Sequence, residues 1–265
     1  MKIFDAHCHI YPEKIARAAS DGIGKFYDMK FDKVGTVDRL VRKGDEAGVS
    51  MFLVHSVSTT PMQVAYINKF IASSVADHPD RMVGFGTMHP ASEDYVADIE
   101  NIITLGLKGV KLHPDFQQFA LDSDEAYKLC KVISDYKLPV LVHTGDPRFK
   151  FSNPDQTRVL LDRLPDLKFI GAHFGGWSMW EEAVAKLAGY TNLWVDSSST
   201  MNWVDAKGTK DMIHAFGADR VFFGSDYPMW PVDVDVERFK ALGLTSEEEQ
   251  MILWDNIVNF LGLEL

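Results

Sequence analysis

Apolar and β-branched residues gather in eight short runs, at residues 3–7, 51–55, 82–87, 109–113, 140–143, 169–173, 193–197 and 221–224. The gaps between them carry helical periodicity. Thr36 precedes Val37, Leu40, Val41 and Ala47, a stripe that stops at Gly48. Thr60-Pro61 offers a cap and a first-turn proline before Val64, Ile67 and Ile71. Ser92-Glu93-Asp94 opens a third helix, with Val96, Ile99 and Ile103 as its expected buried face. Asp122 or Ser123 caps a segment reaching Tyr136, and Asn153-Pro154 with Gln156 caps one reaching Leu164. Residues 180–187 and 210–216 follow, and Ser246 with Glu249 three residues on forms a capping-box pattern for a last helix over 246–261.

Strands alternating with crossover helices predict a parallel α/β sheet, and eight repeats in 265 residues predict a closed (β/α)8 TIM barrel. No linker or compositional shift divides the chain, so residues 1–265 are expected to form one domain. Residues 20–35 read as the one longer irregular insertion. Lying after strand one, it is either a lid at the catalytic rim or a plain surface loop.

Composition narrows the partners. A 46% hydrophobic and 25% charged chain is an ordinary globule with a sizeable core. A net charge of −11 without a basic run argues against nucleic acid and anionic membrane. Cys8 and Cys130 are too few and too far apart for a disulfide framework. No run approaches the roughly 18 apolar residues of a membrane span, and polar residues interrupt the N-terminus. The expectation is a cytoplasmic protein acting on a small molecule. A homo-oligomer is not readable, because helix faces that cover a barrel look like those that cover a partner.

The histidines change the picture. Period-two alternation puts His7 and His9 on one side of the first strand and Cys8 on the other, as a structural thiol. Alone, the pair is either a metal grip or two hydrogen-bonded rim residues. Yet His55, His89, His113, His143 and His173 also fall at or just after strand ends, with Asp226 after strand eight. Those ends converge in a barrel, so the rim enrichment points to a metal site.

His7-x-His9, His143 in Leu-Val-His-Thr-Gly, His173 in Gly-Ala-His-Phe-Gly-Gly and Asp226 in Gly-Ser-Asp-Tyr-Pro together resemble the amidohydrolase superfamily. More narrowly, they resemble its branch of metal-dependent hydrolases and aminocarboxymuconate-semialdehyde-decarboxylase-like proteins. The resemblance implies that His7, His9, His143 and Asp226 bind one divalent metal ion, zinc before manganese, iron or cobalt, with His173 as a base or electrostatic partner. Where binuclear members carry a carboxylated lysine or a glutamate on strand four, this chain has Lys111 and His113 on one face. Lys111 is expected to act as a buried or substrate-facing cation, and His113 to bond substrate or support the ligands.

The activity implied is hydrolysis of a small amide, lactone or ester, with Asp226 and His173 catalytic. The alternative is non-oxidative decarboxylation of a small, aromatic or other, carboxylic acid at the same metal, and a third reading is a metal-binding barrel without catalysis. Arg148 is either an anchor for a substrate carboxylate or a solvated loop residue. Trp177, Trp180, Trp203, Tyr227 and Trp230 follow strand ends. They either line a pocket for a ring-bearing substrate or pack loops and subunits.

Overall fold

The computed structural model describes residues 1–30 and 33–265. Its strands are β1 (Phe4–His9), β2 (Met51–His55), β3 (Met82–Gly84), β4 (Gly86–Thr87), β5 (Val110–Leu112), β6 (Val140–Val142), β7 (Phe169–Gly171), β8 (Leu193–Asp196) and β9 (Val221–Phe222). All pair in parallel, in the orders β1-β2-β3 and β4 through β9. β3 and β4 are one barrel strand interrupted at Phe85, whose N–H donates to Val54 O at 3.0 Å while Gly86 N–H donates to Gly109 O at 2.9 Å. The other seam closes where Ala6 N–H donates to Phe223 O and His9 N–H to Tyr227 O, at 2.8 and 2.7 Å. The predicted eight-stranded TIM barrel is therefore what forms.

Two layers of apolar contact hold it. Outside the barrel, Phe52, Val54, Val110 and Val142 pack against helix residues such as Leu40, Ile71, Ile102 and Leu129. Inside its lower half, Phe4, Ala6, Leu53, Phe85, Leu141 and Phe222 pack with Trp254 and Ile257 from the C-terminal segment. Strands buried on both faces read as continuous apolar runs, which is why the sequence shows them so plainly. With the lower end plugged, polar chemistry is confined to the C-terminal strand ends.

β1 contains a bulge. Asp5 pairs with Phe52 but Cys8 with Val54, one extra residue on β1. Phe4 and Ala6 consequently join the inner core, Cys8 joins the outer layer, and His7 and His9 face inward above them. The same-side placement of the two histidines holds, and the bulge, by resetting the alternation, turns that side inward.

Helices α1 (Glu13–Tyr27), α2 (Val37–Ala47), α3 (Val64–Asp77) and α4 (Tyr95–Thr104) cover the first half of the chain. The short α5 (Pro114–Gln117) follows β5, and α6 (Asp124–Asp135), α7 (Pro154–Arg163), α8 (Trp180–Leu187), α9 (Ala206–Phe216) and α10 (Val232–Lys240) cover the rest. The chain ends in α11 (Ser246–Gln250), a π-helical turn over 251–255, and α12 (Asn256–Leu261). Among the described residues no helix is long and apolar enough to cross a membrane.

Four details differ from the sequence reading. The first half of the expected insertion, Ser20 to Tyr27, is helical; in its second half Phe31 and Asp32 lie outside the described residues. α1 buries Ala16, Ser20 and Gly24, a stripe of small residues that a search for large apolar side chains passes over. On α4 the buried pair is Ile99 and Ile102, whereas Val96 and Ile103 are each 44% exposed. The last capping box is Thr245 with Glu248, one residue before the pair read from the sequence. α10 was not expected at all, because Val-Asp-Val-Asp-Val alternates like a strand.

α2 sits so close to β2 that a Cβ on Gly44 would lie 2.1 Å from Phe52 Cζ. Gly44→Ala is therefore expected to cost about 1–3 kcal/mol by overpacking. A lower chemical-denaturation midpoint with an unchanged slope would show it; an unmoved midpoint would show that the helix can retreat.

Candidate active site

The upper ends of β1 and β9 bring three groups together. His7 Nε2 and His9 Nε2 are 3.3 Å apart, and Asp226 Oδ1 lies 3.4 Å from each. Tetrahedral ligands at about 2.0–2.1 Å from an ion are separated by about 3.3–3.4 Å, so the triangle fits a small divalent cation. Its protonation states fit as well. Burial, reinforced by Lys111, lowers His7 to about 4, and burial also lowers His9, so both imidazoles are neutral donors. Burial opposes ionisation of Asp226, but the His9 hydrogen bond and the neighbouring His7 and His173 outweigh it and hold the carboxyl well below its usual range.

Residues around the triangle aim it. His7 Nδ1 donates to Asp196 Oδ2 at 2.8 Å, which turns Nε2 toward His9 and Asp226. The other oxygen of Asp196 accepts from His173 N–H at 3.0 Å and Ser198 N–H at 3.1 Å, and Ser198 Oγ also donates to it. Asp226 Oδ2 accepts from Ser199 Oγ at 2.5 Å, and Ser199 Oγ in turn accepts from Trp230 Nε1–H at 2.8 Å. Both His173 and Asp226 have left-handed backbones, with φ of 59° and 61°. For non-glycine residues this conformation costs free energy and persists only where surrounding bonds impose it.

His143 lies apart from the triangle. Its Nδ1 is 3.0 Å from His173 Nε2, and its Nε2 is 3.1 Å from Gly145 O and 3.4 Å from Tyr27 Oη. Its ring stacks on His113 with centroids 3.9 Å apart, and Asp115 Oδ2 lies 3.7 Å from Nε2. His113, Asp115 and His143 thus make a second buried group of donor atoms. Gly145 has φ 80°, and a Cβ there would fall 2.4 Å from Trp177 N, so only glycine lets the loops after β6 and β7 meet.

The remaining sequence candidates divide. Lys111 is fully buried, with Nζ 3.2 Å from His7 Nε2, and burial lowers it to about 8. It lies against the triangle and outside the walls of the neighbouring cavity, so the buried-cation reading fits and direct substrate contact does not. His113 and Trp177 do line that cavity. Arg148 does not: Nε and Nη2 grip Asp146 at 2.7–3.2 Å, and Nη1 donates to Phe26 O at 2.8 Å. Its guanidinium is used in holding a loop, so the anchor reading gives way to a structural one.

The cavity has a polar floor of His9, His113, His143, His173, Ser199 and Asp226. Its walls are Ile23, Tyr27, Met29, Phe116, Trp177, Trp203, Met229 and Trp230. The aromatic-rim readings therefore split. Trp177, Trp203 and Trp230 face the cavity, whereas Trp180 packs on the outer core and Tyr227 Oη donates to Val34 O and Thr36 O.

Asp196, Ser198, Ser199, Asp115 and Tyr27 were not singled out in the sequence. An acid ending a strand and followed by three serines, Val195-Asp196-Ser197-Ser198-Ser199, was the available signal for the first three. Tyr27 and Asp115 gave none, because their helices were not foreseen.

Residues 4–263 match a protein family described as Amidohydrolase. Among solved structures, 5-carboxyvanillate decarboxylase from Sphingomonas paucimobilis superposes with a TM-score of 0.78 at 16% identity, covering 99% of each chain. A dihydroxybenzoic acid decarboxylase from Polaromonas sp., with bound manganese and the inhibitor 2-nitroresorcinol, gives 0.73 at 19%, covering 98% of this chain and 97% of its own. A putative 2-pyrone-4,6-dicarboxylic acid hydrolase from Pseudomonas putida gives 0.70 at 20%, covering 99% and 98%.

Asp196→Asn keeps the shape of the side chain but removes the charge that fixes His7. It is expected to weaken binding of a divalent ion by about 10–100-fold, measured by competition with a chromogenic chelator. Wild-type affinity in the variant would show that His7 needs no such support.

Proposed function

The chain belongs to the amidohydrolase family, and from that membership we propose that it is a metal-dependent hydrolase of a small, ring-bearing amide, ester or lactone, working as one barrel domain over residues 1–265. His7, His9 and Asp226 would hold the ion, with His143 as a fourth ligand once its Nδ1 exchanges His173 for it. Zinc is the proposed metal, since imidazoles and one carboxylate suit it; manganese, iron and cobalt accept the same donors. When bound, a divalent ion supplies Lewis-acid polarisation of the scissile group and acidifies water.

The observation that carries the reading is the double role of Asp226. Oδ1 belongs to the triangle, while Oδ2 only accepts, because the Ser199 hydroxyl that donates to it is itself fixed by Trp230 Nε1–H. A carboxylate so held can take a proton from the attacking water and pass it to the leaving group. His173, on the same cavity floor, stabilises the negative charge that develops on the substrate oxygen. Trp177, with Trp203 and Trp230, offers faces for a planar ring, and His113 a polar edge.

Decarboxylation of an aromatic acid is the second reading, favoured by one feature of the walls. Among the described residues lining the cavity there is no lysine or arginine. A substrate carboxylate would thus find its positive partner only at the metal, next to the bond that must break.

A screen of aryl esters, lactones, amides and carboxylated phenols, run in ¹⁸O-labelled water, separates the two. Hydrolysis puts the label into the product; CO2 release without label favours the second reading. On the substrate so found, Asp226→Asn is expected to lower kcat/KM by about 10²–10⁴-fold, and undiminished turnover would overturn both readings.

A further inference from the structure

His55, the last residue of β2, takes no part in the chemistry above, yet its ring packs against both His7 and His9. Its exposure is 0%, and among the described residues neither Nδ1 nor Nε2 has a hydrogen-bond partner. Buried polar atoms are paired in all but a few cases, so an imidazole with two unpaired nitrogens asks for an explanation. Both nitrogens are donors or acceptors by nature, and one must carry a lone pair in the neutral ring.

The surroundings narrow what could meet that lone pair. His55 is the direct neighbour of His9 across the β1–β2 ladder, and its carbonyl accepts from Ile10 N–H at 3.1 Å, which fixes the backbone. Its ring centroid is 4.8 Å from that of His7 and 4.5 Å from that of His9, against 5.2 Å between His7 and His9 themselves. The three rings therefore surround a common point. One donor atom from each lies within 4.8 Å of the others, whereas His143 turns its nitrogens to His173, Gly145 and Tyr27. A lone pair that no N–H or O–H approaches is satisfied by a cation.

We propose that His55 is a ligand of the divalent ion held by His7 and His9. The assignment rests on the metal-site reading above and adds a fifth protein donor to the four proposed there, an imidazole of the kind that zinc, cobalt, manganese and iron all accept. It also accounts for a histidine at a position where a strand end buried on all sides would otherwise favour an aliphatic residue.

The test uses the full chain, stripped with a chelator and titrated with Co(II), beside His55→Leu and His55→Gln. Wild type is expected to bind one equivalent with visible d–d bands. In both variants the affinity should fall by about 100-fold or more, and the bands should shift in position and intensity. Metal-free His55→Leu should melt no lower than metal-free wild type, because two unpaired nitrogens are gone, while its rise in Tm on adding Co(II) shrinks. If His55→Leu does not fold, His55→Gln supplies the same affinity and spectrum. A folded variant with wild-type affinity and spectrum overturns the assignment. So does weaker binding with an unchanged spectrum, which would make His55 a positioning residue. If wild type itself binds no Co(II), the metal-site reading fails, and His55 falls with it.

Discussion

A single buried carboxylate, Asp196 at the end of β8, decides how this site is arranged. By accepting from His7 Nδ1 it fixes which nitrogen of His7 looks into the triangle, and by accepting from the His173 amide it holds that residue in a backbone conformation it would not choose. Burial alone would push the Asp196 carboxyl up, but His7, His173 and Ser198 hold it well below its usual range. Such an arrangement is stable only when complete. Removing one partner of a buried, hydrogen-bonded charge costs about 3–5 kcal/mol, more than a surface ion pair contributes. The same logic recurs at the barrel seam, where fully buried Asp5 accepts from Ser225 N–H at 2.9 Å and from Ser225 Oγ at 2.5 Å. That bond anchors the turn leading into Asp226, so the two carboxylates fix the triangle from opposite ends of the chain.

Charge and wall come from different parts of the fold. The ionisable groups stand on strand ends, where the ladder leaves little freedom. The aromatic walls come from α1, α5 and the loops after β7, β8 and β9. Tyr27 links the two, its Oη at the last turn of α1 lying 3.2 Å from His113 Nε2 and 3.4 Å from His143 Nε2. α1 can approach this closely because its docking face is Ala16, Ser20 and Gly24.

How much of this was legible follows from the same physics. Buried parallel strands advertise themselves as apolar runs, and histidines at their ends converge whatever the loops do, so the barrel and a histidine-rich rim with Asp226 could be read directly, while the ligand set His7, His9, His143 and Asp226 came only with the family resemblance. Features set by neighbours in space could not. Arg148 looked free because Asp146 becomes its partner only once the loop folds. His143 looked equivalent to His7, but side-chain torsions, which no motif encodes, turn it toward His173. α1 escaped because small residues carry little hydrophobic signal even when they determine how closely a helix packs.

The bulge in β1 has a further meaning. Below it the strand presents Phe4 and Ala6 to the inner core, and above it His7 and His9 to the cavity, with Cys8 in the outer layer. One strand thus changes allegiance partway along, from a segment that keeps the barrel shut to one that carries its chemistry. The extra residue is what permits this, since strict alternation would turn both imidazoles outward among the helices once Phe4 and Ala6 point in. Spacing within six residues is therefore under two separate demands at once. Substitutions in Phe4 to His9 can be weighed one by one, but a change of length there would trade the fold against the site.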